Sequence, residues 1–183
     1  MKTLIAMATI SSGCLTMGCN SFRDHPADTY EVYIDPAFGD QTEMVINALQ
    51  DWEDKVHASG SPLTFHTIIV NITCDSNCYD AISIHPASKE WIVARPGAES
   101  SAIGVTYRMW YDHILDGNSE YSNVYVDGAL DPNGLGYQVI RHEIGHALGL
   151  QHTAEGTIMC ANVSNASPDI VDVDVQQFND LRQ

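Results

Sequence analysis

Three histidines lie close together in the sequence, His142, His146 and His152, and Glu143 directly follows the first of them. On an α-helix, residues four apart share a face, so His142 and His146 can direct their imidazoles at one point. Glu143 then flanks that point, where a carboxylate can act as a general base on a metal-held water. The pattern predicts a hydrolytic zinc site with three histidine ligands and Glu143 as the catalytic base.

His152 can reach such a site only if the helix ends before it. In a continuous helix its Cα would lie about 9 Å beyond that of His146, whereas zinc–nitrogen bonds are only ~2.0–2.1 Å long. Gly149 lies between the two histidines. Glycine adopts at little cost the left-handed conformation that ends helices. We therefore predict that the helix ends at Gly149 and that the chain turns back there.

Residues 142–152 resemble the motif of the metzincin metallopeptidases, H-E-x-x-H-x-x-G-x-x-H, and residues 156–160 resemble the Met-turn that follows it. The resemblance implies that Met159 packs beneath the metal without ligating it; the alternative is that Met159 is only a core residue. Some metzincins have a tyrosine ligand two residues after this methionine, where this chain has Ala161. The resemblance is therefore to the matrixin-like members, with three histidines and solvent around the zinc.

Hydrophobic periodicity places further elements around this predicted helix. Residues 41–57 have helical spacing, with Trp52 on the core side and a capping-box pattern at Asp40 and Glu43. Strands are predicted at 30–34, 63–70, 81–84, 91–94, 102–108 and 123–126, and a closing helix at 173–181. This order resembles the metzincin catalytic domain. It implies an α+β, zincin-like fold: a mixed, twisted sheet of about five strands with an active-site helix, a backing helix and a C-terminal helix.

The resemblance also implies how a substrate binds. In the family, the strand before the last one lies at the sheet edge and pairs with the substrate backbone, and the corresponding residues here are Ile103, Gly104, Val105 and Thr106. Main-chain hydrogen bonds would hold a polypeptide in extended form. The expected protein is a monomeric zinc endopeptidase with one catalytic Zn²⁺.

Two other functions remain open. One is an exported zinc-binding lipoprotein without proteolytic activity, and the other is a zinc amidase acting on a non-protein amide. Glu143 argues against the first, because a purely structural zinc gains nothing from a general base. The predicted edge strand favours peptides over other amides.

The N-terminus has the features of an export signal. Lys2 precedes an apolar stretch at residues 4–10, which is too short for a typical membrane-spanning helix. Cys14 and Cys19 each follow a glycine, as in bacterial lipoprotein signals, and Cys19 gives the more usual signal length. We expect a lipid anchor at Cys19, at the periplasmic face or the cell surface; the alternatives are a secreted protein with an ordinary cleaved signal, or a short anchor with unmodified cysteines.

The 183 residues suit one folded domain. We divide the chain into a signal peptide at 1–18, a polar tether at 19–29 and a catalytic domain at 30–183. The formal net charge of −16 argues against nucleic acid as a partner, because phosphate binding requires basic residues. It also argues against adsorption to anionic lipid surfaces.

Export implies an oxidising compartment, in which cysteines form disulfides. Cys74 and Cys78 flank a loop-forming stretch and are predicted to pair, although half of a zinc site is a competing interpretation. Cys160 is then left over and is expected to be buried and unpaired.

Matrixins also carry structural zinc and calcium ions. The resemblance therefore raises an additional structural Ca²⁺ or Zn²⁺ site here. Asp112, His113 and Asp116, or Asp127 and Asp131, could contribute to it.

Overall fold

The computed structural model describes residues 27–183 apart from 76–77, 97, 99, 114–116, 130 and 132–133, with the backbone alone at 110–113, 117–119 and 163. The predicted signal peptide, with Cys14 and Cys19, and most of the predicted tether lie outside the described residues. Lipidation and export therefore stay predictions.

A five-stranded mixed sheet forms the centre of the fold, in the order β2-β1-β3-β5-β4. The first four strands in this order are parallel, and β4 runs antiparallel to β5 at the sheet edge. The predicted α+β fold is confirmed. The strands are β1 (Thr29–Ile34), β2 (Thr64–Ile69), β3 (Ala81–Ala87), β4 (Gly104–His113) and β5 (Gly117–Asp127).

Four α-helices accompany this sheet: α1 (Thr42–Ala58), α2 (Lys89–Val93), α3 (Leu135–Ala147) and α4 (Asp172–Asp180). Two short 3₁₀ helices lie at Pro36–Gln41 and Val163–Asn165. Within the described part of the chain, no helix combines the length and the apolar character that crossing a membrane would require.

The main core lies between the sheet and the pair α1 and α3. α1 packs against α3 and β2, while α3 packs against β4 and β5. Trp52 of α1 is fully buried there, and its indole Nε1 donates to the carbonyl of Arg141 at 2.9 Å. The predicted helix at 41–57 and the core position of Trp52 are both confirmed. The buried face of α3 includes Ile140 and Ile144, which holds the helix on the sheet by burial of apolar surface.

The predicted capping box is wrong. The 3₁₀ helix Pro36–Gln41 runs directly into α1, so Gln41 is the N-cap residue and makes no side-chain capping bond. Asp40 lies inside the 3₁₀ helix instead of at the cap.

The predicted strand at 91–94 is also wrong, because these residues belong to α2 and the turn after it. The Ser88 side chain accepts a hydrogen bond from the Trp91 N–H, which starts a helix at a short apolar run that periodicity alone cannot assign.

The predicted strand at 63–70 exists as β2, but most of it is not buried. β2 forms the sheet edge opposite β4, so Ile68 and Ile69 are exposed while Phe65 is buried. Strand order decides this exposure, and a single run of apolar residues carries no information about it.

The predicted disulfide is not formed in the structure, where Cys74 and Cys78 are both free thiols. Cys74 is buried and is held through its backbone N–H and carbonyl by the side chain of Asn123, at 2.9 and 3.1 Å. Burial, together with a hydrogen bond to Cys78, raises the pKa of the Cys74 thiol well above its usual range. Cys160 is also a free thiol, and it is buried.

Candidate metal centre

The three predicted histidine ligands converge. Their ligand nitrogens lie within 4.8 Å of one another, and the Nε2 atoms of His142 and His146 are 3.0 Å apart. His142 and His146 come from one face of α3, and His152 comes from the segment after it. Of the residues described, these three histidines alone form a group of three or more potential ligands close enough to share an ion.

Backbone carbonyls fix the orientation of two of the imidazoles. His142 Nδ1 lies 2.7 Å from the carbonyl of Ile158, and His146 Nδ1 lies 2.8 Å from the carbonyl of Leu150. A carbonyl oxygen only accepts, so each Nδ1 must carry the proton and donate it. The Nε2 of each ring is then left with a lone pair that points into the centre.

Burial keeps these imidazoles neutral. It lowers the pKa of His142 to about 4 and lowers the pKa of His146 well below its usual value, with the neighbouring imidazoles adding to the effect. Two neutral Nε2 atoms that face each other at 3.0 Å therefore meet lone pair to lone pair. A cation between them removes this repulsion. Neutral imidazole nitrogens with their other N–H bound to a carbonyl are the usual zinc ligands, so the residues present fit Zn²⁺.

The turn that delivers His152 occurs at Gly149, as the sequence predicts. Gly149 has a φ of 101°, in the region that favours glycine. Its N–H donates to the backbone carbonyl of His146, and the N–H of Leu150 donates to the backbone carbonyl of Gly145 at 2.9 Å. These two hydrogen bonds close the end of α3. The carbonyl of Leu150 in turn accepts from His146 Nδ1, so the same turn positions one ligand and orients another.

Met159 is fully buried against Gly145 of α3. A Cβ added to Gly145 would overlap the Sδ of Met159 and would lie 3.1 Å from Cζ2 of Trp52. Gly145 therefore leaves the space that the thioether fills. The spacing of the histidines does not reveal this role, although a glycine inside a predicted helix signals a close approach.

Glu143 belongs to α3, and its side chain contacts the edge strand β4. Its Oε2 accepts a hydrogen bond from the hydroxyl of Thr106 at 2.6 Å, and a Cβ on Gly104 would lie 2.6 Å from its Oε1. Burial raises the pKa of Glu143 to about 8, and the Thr106 hydrogen bond opposes that shift. Thr106 and Gly104 belong to the predicted edge strand, but the sequence does not show that they contact Glu143.

A buried carboxylate connects the turn at Met159 to α4, and sequence reasoning does not identify it. The carboxylate of Asp174 accepts from the N–H groups of Ile158 at 3.2 Å and Met159 at 3.3 Å. It also accepts from Val171 at 3.0 Å, at the start of its own helix. Asp174 thus holds the backbone whose Ile158 carbonyl orients His142.

A buried ion pair lies under the turn at Gly149. The guanidinium of Arg108 donates to both oxygens of Glu120, at 2.6 and 2.5 Å. A Cβ on Gly149 would lie 2.5 Å from Nη1 of Arg108. The pairing depends on the register of β4 with β5, which sequence periodicity does not determine.

A cleft with a volume of about 520 Å³ opens beside His142 and Glu143. The start of β4 forms one wall, and the segment after Met159 forms the other. Among the described lining residues, Glu143 is the only carboxylate, and there is no lysine or arginine. The lining residues are Ser101, Ala102, Ile103, Gly104, Gln138, Val139, His142, Glu143, Ile158, Cys160, Ala161, Asn162, Ser164 and Ala166.

The additional structural ion stays a prediction. The side chains of Asp112 and His113 and all of Asp116 lie outside the described residues. Asp127 and Asp131 belong to no group of three potential ligands in the part of the chain that the structure covers.

The site and the fold agree with a comparison against known families. The family model of the matrixins matches residues 25–183. A comparison with curated proteins gives no match. The matched region contains the complete sheet, α1 to α4, the three histidines and Glu143. The chain therefore belongs to the matrixins, a family of zinc metallopeptidases.

Proposed function

We propose that this protein is an endopeptidase that cleaves extended polypeptides, with zinc held by His142, His146 and His152. The observation that carries the proposal is the placement of Glu143, a buried carboxylate in the wall of the same cleft that His142 lines. A site that only stores or binds zinc has no use for a carboxylate in this position.

The bound zinc would supply a Lewis acid that polarises the scissile carbonyl and lowers the pKa of water to roughly 7. Glu143 takes a proton from the attacking water and passes it to the leaving amine. Such a base works best when its pKa lies near the operating pH, and the burial of Glu143 moves its pKa in that direction. The backbone carbonyls of Ile158 and Leu150 keep the imidazoles in the tautomer that binds metal.

The geometry of β4 supports an extended substrate. β4 lies at the sheet edge with β5 on one side only, and its first residue, Gly104, borders the cleft together with the preceding Ile103. A peptide added beside β4 would form main-chain hydrogen bonds, and one of its side chains would enter the cleft. Most lining residues are small or apolar, and none is a lysine or arginine, which suits an uncharged side chain at that position.

The test is cleavage of a panel of unfolded proteins by purified protein of known zinc content. We expect cleavage that a zinc chelator abolishes and added zinc restores. Glu143→Gln should retain zinc and lose activity by roughly 10²–10⁴-fold, because only proton transfer is removed. Glu43→Gln is the matched control, since it makes the same change at an exposed position on α1.

The outcomes separate the alternatives. A Glu143→Gln protein with wild-type activity would show that another group acts as the base and would reject the mechanism. Zinc bound at one equivalent without cleavage of any polypeptide would favour a zinc-binding protein. Hydrolysis restricted to small non-protein amides would instead favour an amidase.

A further inference from the structure

The inward-facing side of β4 lies against the proposed base. Gly104 and Thr106 alternate along the strand and therefore share a face. Thr106 donates a hydrogen bond to Glu143, and a Cβ on Gly104 would collide with the Glu143 side chain. Thr106 is fully buried, and its hydroxyl lies 2.6 Å from Oε2 of Glu143. The other carboxylate oxygen, Oε1, lies on the Gly104 side.

We propose that Thr106 positions the carboxylate of Glu143, with Gly104 providing the space that this position requires. The inference rests on the proposed function, in which Glu143 transfers the proton. A glutamate side chain has three rotatable bonds, so one end of it needs an anchor if the carboxylate is to keep a fixed direction. Thr106 is a suitable anchor, because a β-branched side chain is stiff at χ1.

The arrangement assigns different tasks to the two carboxylate oxygens. Oε2 accepts the proton of the Thr106 hydroxyl and is fixed by it. Oε1 lies on the side of Gly104, which borders the cleft, and we assign the exchange of the reacting proton to this oxygen. A general base must reach hydrogen-bond distance of that proton, so its direction matters as much as its basicity.

A purely structural role is the alternative, because the same hydroxyl lies 3.1 Å from the backbone carbonyl of Glu143. In that case Thr106 would only join β4 to α3. The two roles differ in what a substitution changes. A positioning role affects the rate of the chemical step, whereas a structural role affects folding, substrate affinity and zinc content together.

The first experiment compares Thr106→Val with Thr106→Ser in the zinc-loaded protein. Valine keeps the shape but cannot donate, and serine restores the hydroxyl. We expect kcat to fall about tenfold or more in Thr106→Val, with KM and zinc content within about twofold of wild type. Thr106→Ser should recover most of the lost rate. Equal losses in both variants, or an unchanged kcat in Thr106→Val, would overturn the proposal.

Ser122→Ala is the matched control. The hydroxyl of Ser122 is also buried and contacts α3 from the neighbouring strand, but at the carbonyl of Ala147 and not at Glu143. We expect its kcat to stay within about twofold of wild type. A loss as large as that of Thr106→Val would indicate that any strand–helix contact matters, which would overturn the proposal.

Gly104→Ala tests whether Glu143 needs the space beside Gly104, and it remains informative if Thr106→Val fails to fold. The three heavy atoms nearest to the new Cβ all belong to the side chain of Glu143, which can yield by rotating. We therefore expect a folded protein whose kcat falls about tenfold or more, with the zinc content unchanged. A fully active Gly104→Ala protein would show that the position of the Glu143 carboxylate does not depend on this space, which would overturn the proposal.

A crystallographic comparison provides a readout that does not depend on turnover. In metal-free crystals of wild type and Thr106→Ser, the Glu143 carboxylate should remain at hydrogen-bond distance from the hydroxyl. In Thr106→Val it should rotate away or occupy several positions, and an unmoved carboxylate would overturn the proposal. If wild-type protein bound zinc but cleaved nothing, the proposed function would fail, and this comparison would still decide the role of Thr106.

Discussion

The guanidinium of Arg108 occupies the space that a side chain at Gly149 would need. A Cβ at that position would lie 2.5 Å from Nη1 and 3.0 Å from Cζ of Arg108. Arg108 cannot easily yield, because both of its contacts with Glu120 are charged hydrogen bonds in a buried site. The turn that carries the chain from α3 to His152 is therefore packed against a fixed group.

We predict that Gly149→Ala destabilises the fold and weakens zinc binding. The substitution adds backbone strain at a φ of 101° and a collision with Arg108. Left-handed strain alone costs roughly 1–3 kcal/mol, and the collision should add to it. Thermal unfolding of the metal-free protein and a zinc titration would measure the two effects.

Gly60→Ala provides the control for strain alone. Gly60 has a φ of 88°, and a Cβ there meets nothing within 4 Å. Gly60→Ala should therefore lose less stability than Gly149→Ala and should bind zinc as wild type does. Equal effects of the two substitutions would show that the contact with Arg108 has no energetic importance.

A second prediction concerns Gly145 and Met159. An alanine in place of glycine inside a helix ordinarily stabilises it by about 1 kcal/mol. Here we expect Gly145→Ala to destabilise the protein, because the new methyl group overlaps the Sδ of Met159 and approaches Trp52. The sign of the change in the free energy of unfolding, measured with denaturant, decides between the two expectations.

A double-mutant cycle identifies the partner in that overlap. Met159→Ala alone should cost on the order of 2–5 kcal/mol, because it leaves a cavity in the core. Gly145→Ala should then cost less in the Met159→Ala background than in wild type, since the space is free. Additive effects would mean that the thioether of Met159 is not what restricts position 145.

The convergence of the three histidines could be predicted from the sequence because the geometry involved is mostly local. His142, His146 and Gly149 lie within eight residues, and helical periodicity with the conformational freedom of glycine relates them directly. The core face of α1 followed from periodicity for the same reason.

The contacts that β4 makes with α3 and with β5 could not be predicted in this way. Thr106 and Glu143 are 37 residues apart, and the pairing of Arg108 with Glu120 depends on strand register. A register shift of β4 by one residue would turn Thr106 and Arg108 to the opposite face of the sheet. The contacts of Asp174 could not be predicted either, because its hydrogen-bond donors are backbone N–H groups, which every sequence contains.

A third prediction concerns Asp174. Asp174→Ala leaves the buried N–H groups of Ile158, Met159 and Val171 without their acceptor. We expect a loss on the order of 3 kcal/mol of stability and weaker zinc binding, because Ile158 also orients His142. Asp172→Ala removes an exposed carboxylate from the same helical turn and is the control. Similar losses in both variants would attribute the effect to the helix terminus and not to the Met159 turn.

The last prediction concerns the pH dependence of stability in metal-free protein. The pKa of Glu143 is raised from 4.5 to about 8, so its contribution to stability is complete below pH 4.5 and is lost as the pH rises to 8. The pKa of His142 is lowered from 6.5 to about 4, so its contribution is complete above pH 6.5 and is lost on acidification.

Between pH 6.5 and pH 8 the change at Glu143 therefore acts without opposition from His142. We expect the free energy of unfolding to fall by about 2 kcal/mol more in wild type than in Glu143→Gln over this interval. Glutamine does not titrate, but it still accepts the hydrogen bond from Thr106, so the comparison isolates the charge. Denaturant unfolding at several pH values measures the difference. Parallel curves for the two proteins would mean that Glu143 is ionised throughout, and the buried carboxylate would then have to be stabilised by groups other than Thr106.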